Sequence, residues 1–182
     1  MVPAVAEGAL STYDVDVAVY DASSGGVVAA IAAARHGART LLICASWPAC
    51  HPEGGLRVGG MSTGGLGQTD VGGCSDAIGG IAREFYRRNR EHYGALDSAK
   101  RSAVSSSSST GADPCRLPSP SCNETFNLEP HVALEIFEAM LKEAGVIVIY
   151  AEQVETVSKE GTTITQIALT NGTTVAARVF VE

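Results

Sequence analysis

Valines at positions 15, 17 and 19 open the chain's first ordered pattern, and Gly25-Gly26 and the small-residue run VVAAIAAAR follow within a few positions. The alternation predicts a strand. The run from Gly26 to His36 predicts a helix packed closely on a sheet, and Gly37 suits the left-handed residue that ends it. Thr40 to Ile43 (TLLI) has the unbroken apolar character of a second, fully buried strand. Residues 15 to 43 therefore form one βαβ unit, and its two strands must be parallel.

Beyond it the pattern breaks. Ala45 to Gly73 is too rich in glycine for a regular element. From Ile78, the apolar positions Ile81, Ala82 and Phe85 follow helical spacing, with Arg83, Arg87, Arg88 and Arg90 assigned to a solvated face. Ala95 to Cys122 reads as an insertion, a Ser/Pro-rich flexible loop with almost no large apolar residue to offset its ordering entropy. Periodicity returns at Val132, Ile136, Met140 and Leu141, a helix with Pro130 in its first turn and Gly145 at its end. Val146 to Tyr150 is a strand, and the remainder alternates as a three-stranded meander with turns at Glu160-Gly161 and Asn171-Gly172. The second turn predicts a type I′ hairpin. The last strand, Val175 to Val181, is expected in the sheet without a following partner segment, leaving an exposed edge or pocket.

A chain of 182 residues, 45% hydrophobic and 18% charged, is sized for one domain with one sizeable core. Its net charge of -7 excludes a general nucleic-acid or anionic-membrane binder, since both need clustered positive charge. A bound nucleotide stays compatible, because backbone amides at a helix N-terminus hold phosphate without net positive charge. No run reaches membrane-spanning length, and MVPAVAEGAL lacks a basic segment followed by an apolar core. A cytoplasmic protein is the resulting expectation. The five cysteines, Cys44, Cys50, Cys74, Cys115 and Cys122, have no paired metal-site spacing, so reduced structural thiols and no metal are expected. Asn123-Glu124-Thr125 and Asn171-Gly172-Thr173 match the glycosylation acceptor pattern, which has no consequence in the cytoplasm.

The candidate chemistry sits in the first βα turn. A dinucleotide fingerprint asks for a glycine at the tight bend, a small residue where the backbone meets the pyrophosphate, and a glycine for helix packing. Asp21, Ser23 and Gly26 occupy those positions, so the first requirement is unmet. The acid that would hold the ribose hydroxyls is replaced by Cys44, 23 residues after Asp21, and a thiol is a poor acceptor. His131, early in a helix, reads as a surface or capping residue, and no catalytic triad or carboxylate pair is supported by spacing.

The order of YDASSGGVVAAIAAARHGARTLLI, VGGMSTGGLGQTD, IGGIAREFYRRNREHYG and FNLEPHVALEIFEAMLKEAGV, followed by the meander, resembles the N-terminal portion of the FAD-dependent oxidoreductases of the glutathione-reductase-like Rossmann superfamily. The resemblance spans nearly everything except residues 95–122 and the first dozen. It implies an α/β, Rossmann-like FAD-binding domain with a parallel sheet and a three-stranded β-meander, whose C-terminal part is missing. It also implies that Ala22, Ser23, Ser24, Gly25 and Gly26 face the FAD pyrophosphate, with Cys44 at the ribose position, and that Gly59, Gly60 and Met61 approach the cofactor through their backbone. Gln153 and Val154 would touch the adenine. Thr69 and Asp70 are candidates for the flavin or substrate side.

Three functions follow. The first is the cofactor-binding portion of an FAD-dependent oxidoreductase acting on an unidentified small molecule, in which the flavin carries the redox chemistry. The second is a non-catalytic remnant or interaction subunit that keeps the fold without FAD, motivated by Asp21 and Cys44. The third, an NAD-binding domain, leaves the GGMSTGGLG loop and the meander without a role.

Overall fold

The computed structural model describes residues 11–45, 57–69, 78–95, 127–150 and 152–182. Residues 96–122 of the expected insertion, Asp70, and every cysteine except Cys44 lie outside the described residues.

Strand β1 (Thr12–Tyr20) leads through a three-residue turn into helix α1 (Ser24–Arg35) and then β2 (Thr40–Cys44). As predicted, β1 and β2 are parallel, with Val17 opposite Thr40 and Tyr20 opposite Ile43. All five residues of β2 are buried, which explains why its sequence shows no alternation. Helix α2 (Gly80–Ala95) precedes α3 (Pro130–Ala144), which carries proline in its first turn and ends at Gly145 with φ 75°. Val132, Ile136, Met140 and Leu141 are buried as their spacing predicted. Strand β3 (Ile147–Tyr150) and the meander β4 (Val154–Glu160), β5 (Thr163–Leu169) and β6 (Thr174–Val181) complete the chain.

The six strands form one sheet in the order β3-β2-β1-β6-β5-β4. Strand β6 lies inside the sheet, so of the edge or pocket expected there, the edge is not formed by β6. It pairs in parallel with β1 along seven registered positions and antiparallel with β5. The meander is therefore welded to the βαβ unit through its last strand, and β3 and β4 are the edges.

Helix α1 packs on β1 and β2 through Val27, Ala30 and Ile31, all with no exposed surface, and α3 packs beside it. Alanines allow that close approach. On the opposite face Val15, Ala18, Leu41, Ile43 and Ile149 meet Ile167 and Leu169 of β5 and Val175 of β6 in a second apolar cluster. Helix α2 lies outside, against α1 and α3, anchored by Phe85 stacked on Phe137 with ring centroids 4.3 Å apart.

Three local expectations need correction. Asn171 does not take the left-handed conformation that a type I′ turn requires. Instead Gly172, at φ 82°, closes a three-residue loop in which its N–H donates to the Leu169 carbonyl at 2.8 Å and the Leu169 N–H donates to that of Thr173. The arginines of α2 are not simply solvated either. Arg88 bridges Glu84 at 2.7 Å and Glu143 of α3, while Arg35 at the end of α1 reaches the same Glu84 carboxylate. Ala82, assigned to the buried spacing, is exposed.

Candidate functional site

Where β1 ends, the chain must turn sharply enough to bring the start of α1 back over the sheet. Asp21 makes that bend. It sits at φ 84°, the left-handed region where an L side chain is strained, while its N–H donates to the Ile43 carbonyl at 3.1 Å. The expected lack of a tight bend is thus not observed; an aspartate holds it. Gly26 has no alternative at its position, because a Cβ there would lie 1.9 Å from the Asp21 carbonyl oxygen. The helix-packing glycine of the fingerprint is a steric necessity created by the bend itself.

Ser23 caps α1, its side-chain oxygen accepting from the Gly26 N–H at 3.3 Å. The amides of Ser24 and Gly25 make no hydrogen bond among the described residues. They are the orphan donors of a helix N-terminus, carrying the positive end of its dipole. The Ser24 hydroxyl turns the other way. It donates to the Gly59 carbonyl at 2.7 Å and pairs with the Ser62 hydroxyl at 2.8 Å, tying the βα turn to a short 3-10 turn at Gly60–Ser62.

That second turn is held from behind. The Gly59 N–H donates to the Ala22 carbonyl at 2.7 Å, and Gly59 adopts φ 102° with Phe137 and Thr63 so close that a Cβ would stand 2.7 Å from either. Thr63, buried, donates its hydroxyl to the Val58 carbonyl at 2.8 Å. A Cβ on Gly60 would approach the Ser23 Cα to 3.3 Å. Glycines here let two backbones touch, which is what the GGMSTGG segment encodes.

Between these turns opens a cleft of about 1040 Å³ at the C-terminal ends of β1 and β2. Among the expected site residues, Ala22, Ser23, Ser24, Gly25, Gly60, Met61, Thr69 and Gln153 line it. Gly26 and Gly59 lie behind the lining as packing elements, and Val154 is set back from it. Cys44 does not line the cleft; its neighbour Ala45 does. Cys44 is fully buried and disulfide-bonded, its Sγ 3.4 Å from the Arg57 carbonyl oxygen. The expectation of reduced thiols fails at this cysteine, whose partner lies outside the described residues.

Sequence reasoning did not place Tyr20, Ser62, Leu66, Gln68, Tyr86 and Leu128 in the lining. Ser62, Leu66 and Gln68 belong to the glycine segment already singled out. Tyr86 carried no signal of its own. It arrives because Phe85 turns α2 inward at the adjacent position, and its hydroxyl pairs with that of Thr69 at 3.0 Å. Leu128 arrives with a backbone bridge, its N–H donating to the Gly67 carbonyl at 3.0 Å. Met61 and Leu66 are largely exposed beside the cleft. His131 is exposed, its Nε2 4.0 Å from Glu129, in keeping with a surface residue.

The arrangement fits a dinucleotide. Unengaged amides at a helix N-terminus suit a pyrophosphate, glycine backbones permit close approach, and Gln153, Thr69 and Tyr86 contribute to the lining of the same cleft. Among the described residues no group of His, Cys, Asp or Glu could hold a metal ion, and no helix is long and apolar enough to cross a membrane.

Comparison with known proteins agrees. No curated protein sequence matches the chain. Similar folds occur in the L-amino acid deaminase from Proteus vulgaris lacking its specific insertion sequence, with a TM-score of 0.58 at 17% identity over 98% of this chain and 55% of that one. The L-proline dehydrogenase from P. horikoshii gives a TM-score of 0.54 at 14% identity over 93% of this chain and 52% of that one. The chain thus spans about half the length of these solved structures, and the likeness is one of fold. A family model described as FAD dependent oxidoreductase matches residues 16–182. With that match running from β1 through β6 over a Rossmann-like fold built to take FAD, the chain belongs to the FAD dependent oxidoreductase family.

Proposed function

We propose that this chain is the cofactor-binding portion of an FAD-dependent oxidoreductase whose substrate is a small molecule, and that residues 1–182 act as one domain completed by further polypeptide. The observation that carries the reading is the α1 N-terminus, where the Ser24 and Gly25 amides open onto a cleft walled by a second glycine turn. When bound, the flavin supplies the redox chemistry. The protein's own residues do the rest. Ser23, Ser24 and Gly25 hold the pyrophosphate through backbone amides, with Ala22 leaving room beside them. Gly60 and Met61 would press their backbone against the cofactor, and Gln153 would hold the adenine, with Val154 set back behind it. Thr69 and Tyr86, a hydroxyl pair that can pass a hydrogen bond to either side, orient groups at the flavin or substrate end, with Asp70 following in sequence.

Cys44 takes no part as a ribose acceptor in this reading, because it is buried and its sulfur is committed to a disulfide. Among the described residues the ribose then has no carboxylate at the position common to dinucleotide sites. No observation favours the cofactor-free remnant.

Titration with FAD tests the proposal. Saturable quenching of flavin fluorescence and a rise in melting temperature with FAD are expected, with stabilisation of about 2.7 kcal/mol at a hundredfold excess over Kd. Neither NAD nor FMN should match it. Absence of any FAD-dependent shift, in this chain and in the full-length protein alike, overturns the assignment.

A further inference from the structure

We propose that Asn171 is an N-glycosylation acceptor, which places this protein in the secretory compartment. Asn171-Gly172-Thr173 has the acceptor pattern. A pattern alone is weak, and three structural observations give it weight.

The first is position. Asn171 and Gly172 are exposed at the tip of the β5–β6 loop, and neither lines the cofactor cleft. A bulky group there displaces no packed side chain.

The second is the form of the loop. The Asn171 side-chain oxygen accepts the Thr173 N–H at 2.8 Å, closing an Asx turn that folds the asparagine amide back toward the threonine. The Asn171 backbone N–H is occupied separately by the Glu152 carboxylate at 3.1 Å, and that carboxylate also accepts from the Thr170 hydroxyl at 2.8 Å. The loop is thereby held in place while the Asn171 amide nitrogen makes no hydrogen bond among the described residues.

The third is independent of the loop. Cys44 is in a disulfide, and disulfides persist in oxidising compartments rather than in the cytosol. N-glycans are added in an oxidising compartment of that kind. The disulfide removes the ground on which the acceptor pattern carried no consequence.

The transfer balances simply. The Asn171 Nδ2 attacks the anomeric carbon of an oligosaccharide carried on a lipid pyrophosphate. The N–C bond forms as the C–O bond to the pyrophosphate breaks, the lipid pyrophosphate leaves, and one amide proton passes to a base of the transferase. No electrons change hands.

The test uses protein isolated from its own cells, alkylated before reduction, digested, and treated in heavy-oxygen water with a glycosidase that cleaves at the asparagine amide. Conversion of Asn171 to oxygen-labelled aspartate is expected, with Cys44 protected from alkylation until reduction. In the same cells, Asn171→Gln should lose the mass of one glycan, whereas Thr173→Ser should keep it. Recovery of Asn171 as unmodified asparagine overturns the proposal, as does an Asn171→Gln variant of unchanged glycan content. FAD binding by both variants should equal that of the parent, so failure of the glycosylation inference is distinguishable from failure of the cofactor assignment.

Discussion

The two ends of helix α1 face different problems. At its N-terminus the chain holds Asp21 in a strained left-handed bend, demands glycine at 26, and leaves two amides open to the cleft. At its C-terminus Arg35 meets Glu84, which also binds Arg88, which in turn binds Glu143, so that three helices share one ion network. One end stores strain and open donors; the other satisfies its charges. Sites that bind ligands commonly keep such strain, supported by packing elsewhere. The difference teaches that changes at the cleft end should alter ligand affinity, whereas changes at the far end should alter stability alone.

The sharpest way to break that comparison is Gly26→Ala. A Cβ placed 1.9 Å from the Asp21 carbonyl forces the bend open, and a loss of about 3 kcal/mol is expected together with FAD binding. Chemical denaturation and flavin titration measure both, and an unaffected FAD affinity would show that the bend does not shape the site. Gly59→Ala is next. Strain at φ 102° adds to contact with the Phe137 ring, and a loss of about 2 to 3 kcal/mol is expected. Because Phe137 stacks on Phe85, the change should also loosen α2, seen as faster hydrogen exchange of its amides.

Asp21→Gly reverses the sign. Relief of the left-handed strain should stabilise the protein by about 1 kcal/mol. Removing a carboxylate beside the helix N-terminus should also tighten FAD by about tenfold, or ~1.4 kcal/mol. If stability rises while affinity stays put, the carboxylate does not oppose the cofactor, and only the strain argument survives.

Glu84→Gln has the smallest effect, about 1 kcal/mol or less for a network of partly exposed charges, and no effect on FAD affinity is expected. Its mark is in pH. Hydrogen bonding from Arg35 above all holds the Glu84 carboxyl down at about 2, below the 4.5 of an unperturbed glutamate. The folded state therefore binds this proton more weakly than the unfolded chain. The resulting stability is fully present above pH 4.5 and is lost as pH falls toward 2. Acid melts of parent and variant should converge across that window, and parallel curves would dismiss the network as a source of stability.

Much of the fold is legible in the residues one by one. The valine alternation in β1, the unbroken TLLI of β2, and the spacing of Val132, Ile136, Met140 and Leu141 mark elements because burial on a strand or helix face imposes its own period. The glycine segment around Gly59 and Gly60 was legible as a place of backbone approach, and much of the cleft lining falls within it or the first βα turn. Tyr86 and Leu128 were not legible, since each is brought to the cleft by the packing of its neighbours rather than by any chemistry of its own.

What the sequence alone determined, then, is the list of elements and the two backbone turns that define a dinucleotide cleft, because periodicity and glycine content are local properties. Tertiary structure decided the rest. It inserted β6 between β1 and β5, and it placed Asp21 where only a left-handed residue closes the bend. It also set the Asp21 carbonyl against Gly26 and joined Cys44 in a disulfide. Strand partners, close contacts and sulfur pairing depend on which distant segments meet, and a pattern of apolar positions constrains which face is buried without specifying what buries it.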